Sequence, residues 1–256
     1  MSTPHFEDRH GVSITDWRKW TQPMRNEHWK AGRSAMELAR AWFTSPVPVC
    51  PPEIQSLLAT NPRTAGIEFT EGFPEHKTAL PQSGEGRNHD LMLRGHTNTE
   101  QVTVCVEAKA DEPFGNTIGK YYEAACKASA SGDPTQAHKR IEALVQIVFG
   151  PTALPSQPRW YGLRYQLLTA LAGTAIQAAN DNNPLAVLIV HEFQTQLTTI
   201  NAINANNDDY KSFIAEFCSI SLSGVVSEQL YGPVRLFSGH LKHDVDVLIG
   251  KSVYKW

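Results

Sequence analysis

The sequence predicts an α/β domain built on a mixed β-sheet with helices on its faces. Three observations carry this. Two strand-like segments, 89–95 and 101–109, flank Asn98-Thr99 in the way a hairpin requires. A continuous aliphatic run over 185–191 has the composition of a strand buried on both sides. Helical segments lie between the hairpin and that run, a pattern that sets helices over a sheet.

The elements follow in chain order. The first helix is expected over 28–43. There Ala35, Leu38 and Trp42 share one face, and Met36, Ala39 and Phe43 lie beside it. Pro46, Pro48, Pro51 and Pro52 end it. A short strand is expected over 66–70. The stretch 78–88, with Pro81, Gly84 and Gly86, reads as a loop leading into the hairpin. Asn116 can cap a helix over 117–130. Asp133-Pro134-Thr135-Gln136 starts the next helix with a capping carboxylate and a proline at the first helical position, and Gly150-Pro151 closes it. A third helix runs over 160–179, with Leu163, Leu167, Leu171 and Ala175 four apart, until Asp181-Asn182-Asn183-Pro184 breaks it. Beyond 185–191, a shorter helix is expected over 208–217 and strands over 234–237 and 245–249. No repeat and no Pro/Ser-rich linker divides the chain, so residues 1–256 are expected to form one domain.

Composition narrows the function classes. Hydrophobic residues make up 41% of the chain, enough for a sizeable core. The net charge of −3 argues against a broadly basic nucleic-acid coat and leaves room only for a local basic patch. The N-terminus is polar and lacks an apolar signal region, and the longest aliphatic run is too short to span a bilayer. A cytoplasmic protein without membrane association is expected. Cys50, Cys105, Cys126 and Cys218 are scattered without CxxC spacing and read as reduced packing residues.

The chemistry gathers on the hairpin. A turn centred between Asn98 and Thr99 sets Leu91 opposite Val106, Leu93 opposite Val104, and Asp90 opposite Glu107. Opposite residues of an antiparallel pair share a face, and so do residues two apart on one strand. The apolar pairs thus go to one side, while Asp90, Glu107 and Lys109 go to the other. A slip of one residue destroys both results. Two facing acids repel unless a cation sits between them. Magnesium or manganese suits such a pair, since magnesium takes one or two carboxylates together with water and substrate phosphate oxygens. A lysine beside the ion can hold a water nucleophile or balance transition-state charge. The acid-x-lysine tripeptide also occurs as Glu75-His76-Lys77 and Asp209-Tyr210-Lys211. The first follows Phe73-Pro74 in an expected loop and the last lies in a helix. Only Glu107-Ala108-Lys109 ends an apolar strand with an acid placed opposite.

Asp90 followed by Glu107-x-Lys109 on the next strand resembles the PD-(D/E)xK superfamily, the restriction-endonuclease-like fold. The α-β-β-β-α-β core of that superfamily is similar to the predicted order over 28–191, leaving 192–256 as a C-terminal extension. The resemblance implies Asp90 and Glu107 as metal ligands and Lys109 as the catalytic lysine. It also implies a further acid from the first helix or first strand, with Glu37 the first choice and Glu68 the second. One departure is that His89, not proline, precedes Asp90. The activity implied is Mg²⁺- or Mn²⁺-dependent phosphodiester hydrolysis on nucleic acid. Two other classes compete: a binding or regulatory module without catalysis, and a phosphohydrolase acting on nucleotides. The run Val106-Glu107-Ala108-Lys109-Ala110-Asp111-Glu112-Pro113-Phe114-Gly115 also resembles a bacterial family of unknown function. The segments Arg164-Tyr165-Gln166-Leu167-Leu168 and Val190-His191-Glu192-Phe193 share that resemblance, which names no substrate.

Several lesser candidates carry two readings each. Asn116 and Lys120, just after Lys109, can contact phosphate at a helix N-terminus, or Asn116 can simply cap the helix. Trp17, Arg18, Lys19 and Trp20, with Arg25, Lys30 and Arg33, can grip a nucleic-acid backbone or form an arm whose tryptophans pack on the body. His191-Glu192 can support a site at a strand end or be structural. His240, His243, Asp244 and Asp246 read better as the approach to a half-buried strand than as a metal cluster. His89-Asp90 opens a strand, which does not suit an HD-type phosphohydrolase. No phosphate-cradling or nucleophile-elbow fingerprint is present.

Overall fold

The computed structural model describes residues 3–21, 29–82, 84–222 and 228–255. Seven strands form one mixed sheet: β1 (His5–Phe6), β2 (Glu68–Thr78), β3 (Arg87–His96), β4 (Gln101–Lys109), β5 (Leu185–Gln194), β6 (Leu230–Leu236) and β7 (Val245–Lys255). Their spatial order is β1-β2-β3-β4-β5-β7-β6. The β2–β3–β4 meander is antiparallel, while β5 runs parallel to both β4 and β7.

Helices cover both faces. On one, α1 (Ser34–Trp42) and α2 (Pro52–Ala59) send Leu38, Trp42, Ile54 and Leu57 against Leu91, Val104, Val106, Ile189 and Leu248. On the other lie α3 (Ile118–Ala130), α4 (Ala137–Phe149), α6 (Tyr165–Asn180) and α7 (Ile200–Phe217), with the single-turn α5 (Pro158–Tyr161) between α4 and α6. Their Leu144, Leu167, Leu171 and Phe213 meet Leu188, Val190, Val247 and Ile249. A strand covered on both faces has no polar side to show, and this is why β5 reads as an unbroken aliphatic run. The hairpin register is the predicted one, with Leu91 paired to Val106 and Leu93 to Val104.

Several boundaries differ from expectation, each for a local reason. The first helix begins at Ser34; His28 lies outside the described residues. Pro52 does not extend a breaker but occupies the first turn of α2, where its missing N–H costs nothing. β2 continues through Pro74 to Thr78, so Glu75-His76-Lys77 lies in a strand and not in a loop. Proline is tolerated there because, among the described residues, β1 pairs only with Glu71 and Gly72 and leaves the outer edge of β2 open further along. Thr117, not Asn116, caps α3, its side chain accepting from Lys120 N at 3.3 Å. α4 begins at Ala137, past the Asp133-Pro134 signal, because Thr135 Oγ1 takes the Ala137 N–H at 3.1 Å. The long helix over 160–179 divides at 162–164 into α5 and α6. α7 starts at Ile200, eight residues before the expected point, and so includes Asn201, Asn204, Asn206 and Asn207, which disfavour helix on propensity alone. β6 and β7 join the main sheet, and the boundary drawn at 191/192 falls inside β5. All four cysteines are free thiols.

Candidate active site

Alternation along β4 builds the site. Val104, Val106 and Ala108 belong to the core beneath α1 and α2, which turns Cys105, Glu107 and Lys109 toward α6. Glu107 is 1% exposed. Its Oε1 accepts from Gln166 Nε2 on α6 at 2.6 Å and lies 2.8 Å from Lys109 Nζ. Its Oε2 accepts from the guanidinium of Arg87, the first residue of β3. Asp90 lies one residue beyond the last β3–β4 pair, Leu91 with Val106. There its side chain replaces the ladder: Asp90 Oδ2 accepts from Ala108 N at 2.7 Å. Asp90, Glu107 and Lys109 are therefore gathered at one end of the hairpin.

Burial dominates the electrostatics. It pushes the Lys109 ammonium below the usual lysine range, while the charges of Asp90 and Glu112 pull it back. Burial also raises the Asp90 carboxyl, against the opposing pull of Lys109, Arg87 and the Ala108 N–H. The run from Glu112 to Gly115 closes the site from below. Burial of Glu112 is outweighed by the Lys109 charge and a hydrogen bond from Ser34 Oγ, so its carboxyl sits below its ordinary value. Glu112 Oε2 also accepts from Ala110 N and Asp111 N, at 3.3 and 3.1 Å. Lys109 Nζ lies 5.3 Å from the ring centre of buried Phe114, a cation–π contact. Gly115 takes φ +73°, where a side chain would be strained, and its carbonyl accepts from Arg164 Nη1 at 2.7 Å. Arg164 in turn meets Asp209 of α7 at 2.7 Å. Arg164 and Gln166 thus tie α6 to the segment after β4 and to Glu107.

The remaining sequence candidates fall elsewhere. Glu37 is not brought to Asp90 and Glu107. It sits on α1, across the sheet, where its carboxylate accepts from Gly32 N at 2.7 Å and from Arg40 Nη1 at 3.1 Å. Helical periodicity marks the buried side of α1 but not which face of the sheet it covers. Glu68 is also distant along the meander: it is exposed and pairs with His96, at the end of β3 opposite Asp90. Asn116 and Lys120 are exposed at the start of α3. Trp20 packs on Phe6 and Phe43, with ring centres 5.8 and 6.3 Å away, while Arg18 and Arg40 lie over Trp17. Arg33 pairs with Asp111 at 3.3 Å, and Arg25 lies outside the described residues. Buried His191 meets Glu53 of α2 at 3.0 Å, and Asp246 is held by Arg63 and Arg235.

Three residues that the sequence reading did not place in the site complete its surroundings: Arg87, Gln166 and Glu75. Glu75 lies on β2 between the residues paired with Leu91 and His89, and so beside Asp90. Burial and the Asp90 charge push its carboxyl up to about 8, although Asn88 hydrogen-bonds to it. A cleft of about 410 Å³ opens there, lined by Arg9, Phe73, Glu75, Lys77, Glu85 and Asn88. A carboxyl raised in the folded state contributes stability that is complete below its unfolded value and lost as pH climbs through the folded value, here between about 4.5 and about 8. Glu75→Gln is expected to flatten that slope. Allowing for solvent screening, the variant should gain roughly 1–3 kcal/mol over the native protein between pH 5 and pH 8. Urea melts at the two pH values measure this; equal slopes for both proteins would refute the assignment.

Among the described residues, no group of three or more His, Cys, Asp or Glu side chains forms a ready metal cage. No helix among them is long and apolar enough to cross a membrane. The fold and site together define an α/β protein with a charged centre of two carboxylates, a lysine and an arginine at the end of a mixed-sheet hairpin. The chain belongs to the family described as a domain of unknown function, DUF6946, whose model matches residues 11–245. No curated protein matches it, and no solved structure does.

Proposed function

We propose that the chain is a restriction-endonuclease-like, Mg²⁺- or Mn²⁺-dependent phosphodiester hydrolase centred on Asp90, Glu107 and Lys109. The observation that supports it is the convergence of Lys109 on Glu107, with Asp90 anchored to the peptide between them. The order α1, β2, β3, β4, α3 and β5, with β5 parallel to β4, agrees with the core implied by the sequence resemblance, α2 and α4 to α6 being additions.

The donor set fits a hard cation. Two carboxylates are what a magnesium site commonly takes from a protein. Among the described residues the only hydrogen bond to Asp90 is at Oδ2, which leaves Oδ1 available. Glu107 must yield one of the donors now on it. A divalent ion held there would supply an acidified water and neutralise phosphate charge. Lys109 would hold the attacking water at Nζ and offset the negative charge that builds on phosphate. Gln166 keeps the Glu107 carboxylate in one orientation. Asn116 and Lys120, at the N-terminus of α3, would take a flanking phosphate.

The test is cleavage of a DNA, RNA and mononucleotide panel with Mg²⁺ or Mn²⁺, comparing the native protein with Lys109→Ala. Metal-dependent cleavage that falls by about 10²-fold or more in the variant is expected. Equal cleavage by both proteins would remove Lys109 from the site. Activity on mononucleotides alone would favour a nucleotide phosphohydrolase. A second reading, a binding module without catalysis, is favoured by one observation: both oxygens of Glu107 are already satisfied by internal donors. Tight binding of a panel member without turnover would decide for it.

A further inference from the structure

We propose that Arg87 is a resident counter-cation that sets the affinity of this centre for a divalent ion. The inference rests on reading Asp90 and Glu107 as ligands, and it concerns what holds them while no ion is bound.

Four observations converge on Arg87. Its guanidinium contacts Glu107 Oε2, one of the two oxygens that Glu107 could offer an ion. It also acts electrostatically on Asp90, so one cation serves both acids. With Lys109 it sets two positive charges among Asp90, Glu107 and the nearby Glu112, which eases the repulsion that otherwise calls for a metal. The site is also shaped to admit it. The stem of Arg87 passes α6 at Gly173, where a Cβ would stand 2.9 Å from Arg87 Cγ and 3.1 Å from Arg87 Cβ. Contacts that close force a shift, so glycine keeps this lane open.

Arg87 is poorly satisfied in that position. Among the described residues its buried Nε has no hydrogen-bond partner, and its second contact, to Thr169 Oγ1, is long at 3.5 Å. A buried donor without a partner carries a desolvation penalty, so the occupied state is not a deep trap. Arg87 is also the first residue of β3, where only the strand end must adjust for the side chain to move. An incoming ion must therefore displace or repel this guanidinium before Glu107 can ligate it. Arginine stays charged across the accessible pH range, so loss of its proton cannot do this instead.

The experiment is Mn²⁺ titration, read from the paramagnetic resonance signal of the free ion, on the native protein, Arg87→Met, Arg87→Lys and Arg87→Met/Glu107→Gln. Thermal melts confirm that each is folded, and Arg87→Gln replaces the methionine variant should that one unfold. Arg87→Met is expected to bind Mn²⁺ about tenfold more tightly or better, because a unit charge a few ångströms from the ion is removed. Arg87→Lys keeps the charge and should stay near the native value. Loss of Glu107 in the methionine background should abolish the gain. A purely structural arginine would give weaker binding, or none of this pattern. If Arg87→Met binds no tighter than the native protein while Arg87→Met/Glu107→Gln loses binding, the role of Arg87 is overturned and the hydrolase reading stands. If no folded variant binds Mn²⁺, the metal reading of Asp90 and Glu107 fails, and this inference fails with it.

Discussion

Replacing Glu107 with alanine is expected to destabilise the fold by about 3–5 kcal/mol, as well as abolishing any hydrolysis at this site. The carboxylate is the common partner of Arg87, Lys109 and Gln166 beneath α6. Alanine leaves a guanidinium and an ammonium facing each other in a region where Lys109 is 3% exposed. The penalty comes from the stranded cations more than from a lost attraction, and this yields an internal check. Arg87→Met should recover part of the stability in the Glu107→Ala background while leaving activity absent. Urea unfolding at constant m-value measures the first effect. A Glu107→Ala protein within 1 kcal/mol of native would show that the charges around it are solvated and that the centre is not closed.

The second large effect lies along the same sheet. Lys251 on β7 and Glu192 on β5 are each 1% exposed. Lys251 Nζ meets Glu192 Oε2 at 2.7 Å and also hydrogen-bonds to Asn207 Oδ1 on α7, while Gln194 Nε2 holds the other oxygen of Glu192 at 2.9 Å. Burial lowers the lysine from its ordinary value, and the Glu192 charge works against that. Lys251→Ala strands a buried carboxylate and should cost about 3–5 kcal/mol. Removing both charges together, as Lys251→Met/Glu192→Leu, should be close to neutral, because a buried pair mostly offsets its own desolvation. Denaturant melts of Lys251→Met, Glu192→Leu and the double variant form the cycle. Additive losses would mean that the two groups do not interact.

Some of this was legible in the sequence and some was not, for physical reasons. The hairpin register followed from the turn at Asn98-Thr99 together with alternation, because that turn pairs Leu91 with Val106 and Leu93 with Val104 on a common face. That register also carried Asp90, Glu107 and Lys109 to the opposite side. Arg87 escaped because it follows Gly84 and Gly86 in a stretch with loop composition. Its role depends on a gap at Gly173, which lies far away in the chain. Glu75 escaped because Pro74 looks like a strand breaker, and the open edge that excuses it is a property of the sheet. Gln166 lies inside a helix whose periodicity reports burial but not partners. The position of Glu37 depended on which face α1 covers, and one amphipathic stripe does not decide between two faces.

The place of β7 between β5 and β6 bears on how the chain reaches this structure. The segment Leu185-Ala186-Val187-Leu188-Ile189-Val190 acquires its second neighbour only when a strand about sixty residues further along docks in parallel. Until then β5 is a bare aliphatic edge with open backbone groups, the kind of template on which unrelated chains pair. Synthesis and early folding therefore pass through a period of aggregation risk that ends only with the docking of β7. A chain shortened before Val245 would remain in that state, with the hairpin that carries Asp90 and Glu107 already formed.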